Sequence, residues 1–379
     1  MRVEGTVNRQ PSTVNFALDV ISGRAKGPGP CALRVGLSFL SCIYLVGLKL
    51  FLLPYRFGIR KRRRLPCPVI SVGNITFGGT GKTPTVRTIA AELAACGLHP
   101  ALLSRGHGGT ESGGAAIVSD GETRLLSAEQ CGDEPAMLAD LLPGVPVIIG
   151  KNRYKTGKSA IEQFDPGVIL LDDGLQYWQL HRDLDIVLIN AVEPFGYGRL
   201  MPRGALREPL SGLRRAGVIV ITNSDKVSAE SLTETKARIS WHAPKSLVIE
   251  AIHRPFSLRD VGGEKLSLDW LRGRRVCVMC SIGVPGLFAE SITSLGAEVV
   301  YRVDFPDHHL WKSREIEQIA EKALAAGAEV LVTTEKDMVK LPEVETRLPI
   351  MALDIIVEFR QPGLMDILLG VVDNVGKGF

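Results

Sequence analysis

A chain of 379 residues with 45% apolar and 23% charged side chains can bury a sizeable core and has room for two domains, and this composition excludes a long disordered tail. A net charge of +4 is too small to single out a nucleic-acid partner, and seven cysteines without paired spacing exclude a disulfide framework and indicate a reducing compartment. The basic residues are unevenly placed, with Arg56, Arg60, Lys61, Arg62, Arg63 and Arg64 falling within nine positions.

Residues 1 to about 30 are polar, contain glycine and proline, and have weak periodicity, so no element is predicted there. Val35 to Leu53 follows, nineteen residues whose one charge is Lys49, long enough to span a bilayer. Arg34, Ser38, Ser41, Leu45 and Lys49 recur at helical spacing, and basic residues flank the run on both sides instead of one. These features predict a helix lying in, or dipping into, the cytoplasmic leaflet, with Arg60 to Arg64 facing anionic headgroups. A cleaved signal peptide is not predicted, because the run starts late and no small-residue cleavage site follows. Residues 1–64 are read as an N-terminal extension with a membrane-associated helix. No aromatic and basic interleaving recurs downstream, so nucleic acid is not an expected partner.

Pro68 to Pro84 reads PVISVGNITFGGTGKTP: an apolar strand, a glycine-rich turn, then Gly-Lys-Thr opening a helical pattern. This is the sequence form of a P-loop, with Thr76 where the full pattern has a glycine. Gly78, Gly79, Thr80 and Gly81 form a cradle of inward backbone N–H groups for phosphate oxygens. Lys82 neutralises the outer phosphates and the Thr83 hydroxyl suits a magnesium ion. Strands and helices then alternate, with strands at Ala101, Val145, Val168, Leu184 and Gly217. Short apolar strands bounded by glycine predict a doubly wound, mostly parallel α/β sheet of the P-loop NTPase type over residues 65–245. Residues 246–272 read as a linker hairpin around Gly262-Gly263. A second alternating series from 273 to 379 predicts a smaller C-terminal α/β domain.

Four further clusters carry chemistry. Val168 to Asp173 is a buried strand ending in two carboxylates, and Asp172 or Asp173 beside a P-loop suits the shell of a magnesium ion. In CGDEP, Asp133 and Glu134 precede a helical run; the residues alone leave open whether Asp133 caps that helix or accepts a hydroxyl proton near a γ-phosphate. Asp307, His308 and His309 end a strand, where a metal ligand, an acid/base or a phosphate contact are all compatible. Arg153 and Arg207 stand near glycines, as phosphate-binding forks do. By contrast, Cys277 and Cys280 form a C-x-x-C inside an apolar run with no second pair, which reads as buried strand. The base-reading pattern of GTPases is missing.

Taken in order, GNITFGGTGKTP, SRGHGG, GDEP, LDDGLQ, GALREP, FPDHH and TTEKDMVKL behind a basic-flanked apolar helix closely resemble the lipid A tetraacyldisaccharide 4′-kinase family, from about residue 14 to the C-terminus. The resemblance implies ATP- and Mg2+-dependent phosphorylation of the 4′-hydroxyl of a tetraacyldisaccharide 1-phosphate, at the cytoplasmic face of a Gram-negative inner membrane. It implies that Lys82 and Thr83 take the phosphate and metal roles and that Asp172 and Asp173 are the strand-tip acids. Asp133 would act on the sugar hydroxyl with help from His308. Glu134 is placed beside the metal, and Arg153 and Arg207 beside the nucleotide. The rival expectation is a membrane-bound regulatory P-loop ATPase.

Overall fold

The computed structural model describes residues 12–111, 114–283, 285–307 and 309–376. Two N-terminal helices, α1 (Ser12–Ser22) and α2 (Pro28–Arg56), precede β1 (Val69–Asn74), α3 (Lys82–Ala95), β2 (Pro100–Ser104), β3 (Ala116–Ser119), α4 (Ala128–Cys131) and α5 (Asp133–Leu141). Next come β4 (Val147–Ile149), α6 (Arg153–Phe164), β5 (Val168–Asp172), β6 (Leu184–Asn190), β7 (Val218–Thr222), α7 (Ala229–His242), β8 (Leu247–Asp260) and β9 (Lys265–Leu266). The chain closes with β10 (Arg275–Cys280), α8 (Pro285–Ser294), β11 (Glu298–Asp304), α9 (Ser313–Ala325), β12 (Val330–Thr334), α10 (Glu335–Met338), β13 (Ile350–Phe359) and α11 (Leu364–Gly376).

The strands form one mixed, mostly parallel sheet in the order β11-β10-β12-β13-β8-β7-β6-β1-β5-β2-β4-β3, with β9 beside β8. Strands β1, β2, β5 and β7 are buried along their whole length, as expected when helices cover both faces. Helix α3 shows why: Val86, Ile89, Ala90 and Leu93 recur at helical spacing and enter the core that holds Ile70 of β1 and Leu138 of α5. Helix α6 covers the opposite face through Ala160, and α8 and α9 cover the two faces of the β10–β12 region.

Strand β8 is the joint. Its first residues pair in parallel with β7, from Leu247 to Glu250, and the remainder runs antiparallel to β13, from Ala251 to Asp260, with a register shift between Asp354 and Ile355. A short return strand, β9, pairs with Leu258 and Arg259. The C-x-x-C cysteines both lie buried in β10, and burial pushes each thiol up to about 12, the behaviour of packed core cysteines.

Helix α2 is longer than the sequence suggests and has no buried residue, exposing Val35, Phe39, Ile43, Val46 and Leu50. It is long and apolar enough to cross a membrane by length and composition. Helix α1 stands in a segment where weak periodicity predicted no element. The polar stripe on α2 turns partly inward: the Ser41 hydroxyl donates to the Leu200 carbonyl at 2.9 Å, and the Tyr44 hydroxyl donates to the Arg207 carbonyl at 2.6 Å. This apolar helix is thereby tied to the loop that carries Arg207.

Candidate active site

The glycine-rich loop leaves the end of β1 at a point where the sheet order turns back on itself, with β5 on one side and β6 on the other. This is where open α/β sheets bind ligands. Thr76 forms an isolated bridge with Leu206, and the Phe77 amide donates to the Ala205 carbonyl at 2.7 Å, so Thr76 is a backbone anchor at the loop's entrance. Asn74 donates to the Thr80 hydroxyl at 2.8 Å, Asn190 donates to the Gly79 carbonyl at 3.1 Å, and the Thr222 hydroxyl donates to the Thr80 carbonyl at 3.0 Å. The loop is thus shaped by side chains from three neighbouring strand ends.

Gly81 caps α3 at φ 78°, and a Cβ there would lie 2.4 Å from His253 Nε2. His253 is held with Nδ1 donating to Asn223 Oδ1 at 2.8 Å, and burial keeps its pKa below the ordinary imidazole range. A neutral ring therefore lies against the loop backbone, and a glycine is required opposite it.

The loop opens on a cavity of about 690 Å3 lined by Gly78 to Pro84, by Glu134 and Met137 of α5, and by Asp307, Thr334 and Lys336 from the C-terminal half. Lys336 donates to Asp307 at 2.8 Å. The two halves are fastened behind this cavity: Arg87 of α3 pairs with buried Glu335, which also accepts from the Ile355 amide at 3.0 Å.

Asp172 and Asp173 end β5 with opposite electrostatic fates. Asp172 accepts from Ser104 at 3.1 Å, while its Oδ1 is buried without a partner among the described residues. Burial, followed by the nearby Glu134 and Asp173 charges, pushes its carboxyl from 3.8 up to about 7, against the pull of Lys82. Burial also pushes Asp173 upward, but Lys82 and Arg207 outweigh it and hold that carboxyl below the usual range. Arg207 Nη1 donates to Asp173 at 2.7 Å and to Asn74 at 3.2 Å. Arg153 is buried behind this pair, donating to the Gly150 carbonyl with its ring partner Tyr177 at 5.9 Å; its nearest opposite charges are Asp172 and Asp173.

An orphaned carboxylate oxygen among like charges, within the field of Lys82, fits a hard divalent cation. Among the described residues no three His, Cys, Asp or Glu side chains could hold a metal unaided. Magnesium suits such a site, since it takes few protein ligands and completes its shell with phosphate oxygens and water.

Asp133 is the first residue of α5, after Gly132, which supplies no side-chain cap. Its Oδ2 stands 3.6 Å from the buried Lys340 ammonium. His308 lies outside the described residues. Its neighbour His309 is a packing residue, stacked on Phe305 at 4.2 Å and bonded to Glu315 at 3.0 Å.

The model of the tetraacyldisaccharide-1-P 4′-kinase family, LpxK, matches residues 33–373. The chain belongs to this family. A tetraacyldisaccharide 4′-kinase of Syntrophus aciditrophicus (strain SB) is 42% identical over 330 residues, covering 85% of this chain and 88% of the relative. One of Geobacter sulfurreducens is 40% identical over 330 residues, covering 87% and 90%. Among solved structures, the "apo" form of LpxK from Aquifex aeolicus in complex with ATP has a TM-score of 0.74 at 30% identity, covering 90% of this chain and 99% of that one.

Within this family member, sequence reasoning passed over Asn74, Asn190, Asn223 and His253, which shape the phosphate loop, and Lys336, Asp337 and Lys340 around the acidic residues. The available signal was position: Asn74 and Asn190 end strands next to the loop, where polar residues after an apolar run face a ligand.

Proposed function

We propose that this chain transfers the γ-phosphoryl group of ATP to the 4′-hydroxyl of a tetraacyldisaccharide 1-phosphate, the lipid A precursor. The observation that carries this reading is that Lys82 and Glu134 line one cavity while the strand-tip acids Asp172 and Asp173 lie close enough to feel their charges, with Asp133 adjoining Glu134 at the start of α5. The relatives named above are tetraacyldisaccharide 4′-kinases, and the solved neighbour contains ATP.

In this reading, backbone N–H groups from Gly78 to Gly81 cradle the phosphates, and Lys82 neutralises charge on the transferred group. Thr83, Asp172, Asp173 and Glu134 would hold Mg2+, which supplies positive charge to the phosphate oxygens when bound. Arg207 fixes Asp173, and Arg153 backs both strand-tip acids from beneath. Asp133 orients the sugar hydroxyl and accepts its proton, with His308 as its partner. The 65–245 segment provides the donor side of the cleft, 246–272 links it, and 273–379 closes it.

In this reading the cleft works at the inner membrane's cytoplasmic face, a location that the exposed apolar side of α2 supports, with the acyl chains near that side. Arg62 and Arg63 lie over Trp178 and Tyr154 at 4.8 and 4.9 Å, while Arg56, Arg60 and Lys61 are exposed toward anionic headgroups.

The test is radiolabel transfer from γ-labelled ATP to a tetraacyldisaccharide 1-phosphate, with and without magnesium. Labelled lipid that depends on magnesium is expected. Release of inorganic phosphate without labelled lipid would instead identify a regulatory ATPase. Deleting residues 1–64 should release the protein from the membrane fraction; retention there would assign anchoring to another surface.

A further inference from the structure

The motif TTEKDMVKL places Asp337 and Lys340 three residues apart, and neither enters the donor side of the site. Both are buried, with the Lys340 side chain 1% exposed and that of Asp337 0%. A lysine ammonium taken out of water is strongly destabilising unless it is paired and hydrogen-bonded. Lys340 meets that need on its own side of the cleft, donating to the Ser281 hydroxyl at 2.9 Å and pairing with Asp337 at 3.1 Å.

Asp337 is itself fixed from several directions. It accepts from the Ser281 amide at 2.8 Å, from the Thr334 hydroxyl at 2.8 Å and from Trp311 Nε1 at 3.3 Å. With this support Lys340 has a defined position and one N–H beyond the two directed at Ser281 and Asp337. The second charged group within reach is Asp133, whose Oδ2 lies 3.6 Å from the ammonium. One cation thus stands between two carboxylates from different halves of the sheet: Asp337 beside β12 and Asp133 on α5. If Lys340 served only to neutralise Asp337, nothing in its own surroundings would require it to lie beside a carboxylate from the other half.

We infer that Lys340 is a positioning residue for Asp133, fixing the carboxylate for the sugar hydroxyl from a base anchored by Asp337, Ser281 and Trp311. The inference rests on the reading of Asp133 as the group that handles the hydroxyl proton. It assigns to TTEKDMVKL the task of aligning the acceptor side of the cleft. It also makes the alignment depend on contact between the two halves, because the anchor and the carboxylate come from opposite sides.

The experiment is a double-mutant cycle on full-length enzyme in detergent, reading steady-state lipid phosphorylation. Lys340→Met should lower kcat by about 10- to 100-fold, with KM for ATP changed less than about threefold, the pattern of a misplaced reacting group. Because Lys340→Met strands Asp337 as a buried anion, Lys340→Met combined with Asp337→Asn serves as the folded control. It should match the wild-type thermal midpoint more closely and still lose kcat. Asp133→Asn should lower kcat strongly, and adding Lys340→Met to it should cost less than about twofold more, since residues acting as a unit are non-additive. Wild-type kcat in the paired Lys340→Met and Asp337→Asn variant overturns the inference. So does a Lys340→Met loss as large in the Asp133→Asn background as in wild type, and in that case the reading of Asp133 survives. Wild-type turnover in Asp133→Asn alone overturns that reading and the inference with it.

Discussion

Replacing Asp172 with asparagine is expected to make the nucleotide-free protein more stable above pH 7. The Asp172 carboxyl is buried, one oxygen accepts from Ser104 and the other has no partner among the described residues. Burial and the charges of Glu134 and Asp173 raise it from 3.8 to about 7. The unfolded chain therefore releases this proton near pH 4 and the folded chain near pH 7. Between those values the folded state holds more protons, so stability falls as pH rises and the full penalty is present above 7. Three units at about 1.36 kcal/mol each amount to about 4 kcal/mol. With an unfolding entropy of about 2.1 cal/mol/K per residue over 379 residues, this is worth about 5 °C in the thermal midpoint. Asparagine keeps the shape and removes the charge. Thermal unfolding of full-length protein at pH 8.5 and pH 5, with and without Mg·ATP, measures the effect. Asp172→Asn should melt several degrees higher than wild type at pH 8.5 without nucleotide, the gap should narrow at pH 5, and the variant should gain less from Mg·ATP. An Asp172→Asn protein that is less stable than wild type at pH 8.5, or a gap independent of pH, would refute the argument that an uncompensated charge sits there.

Three other outcomes follow from particular contacts. Gly81→Ala forces a Cβ to within 2.4 Å of His253 Nε2 at positive φ, and strain of about 1–3 kcal/mol should weaken ATP binding roughly 5- to 150-fold in a calorimetric titration. Arg87→Met strands buried Glu335 and should destabilise the protein by about 3–5 kcal/mol, while Arg87→Met with Glu335→Gln should recover much of the loss in thermal midpoint; a double variant no better than the single would show that the ion pair is not the cause. Tyr44→Phe removes the hydroxyl that donates to the Arg207 carbonyl, worth about 1 kcal/mol, and should raise KM for the lipid more than KM for ATP; a larger rise for ATP would place the effect on the nucleotide side alone.

The donor side of the site was legible because its information is local. A strand, a glycine turn and Gly-Lys-Thr fall within 17 consecutive residues, and Asp172 and Asp173 end an apolar run that can only be a buried strand. The alternating pattern likewise exposed the parallel sheet. Lys340 and Asp337 were not legible, because two opposite charges three positions apart read as a solvated helix pair until α10 packs near α5 and removes the water. Asn223 and His253 were hidden for a similar reason: they meet the phosphate loop across β7 and β8, more than a hundred residues later in the chain. The Asp-His-His run separated into different roles because His309 found Phe305, Trp311 and Glu315, contacts that periodicity does not encode. Helix α1 escaped detection because its pattern is short and is preceded and followed by glycine and proline.

Strand β8 gives the enzyme an unusual mechanical character. Because this one strand is hydrogen-bonded to both halves of the sheet, the cavity walls cannot swing apart on a slack tether. Widening must be absorbed as extra torsion spread over β7, β8 and β13, or at the register shift near Ile355. Each strand pair contributes only a small angle, and the Arg87–Glu335 clasp resists the motion from behind. The sheet therefore acts as a stiff torsion bar whose resting shape already brings Lys336 and Asp307 close to the phosphate loop.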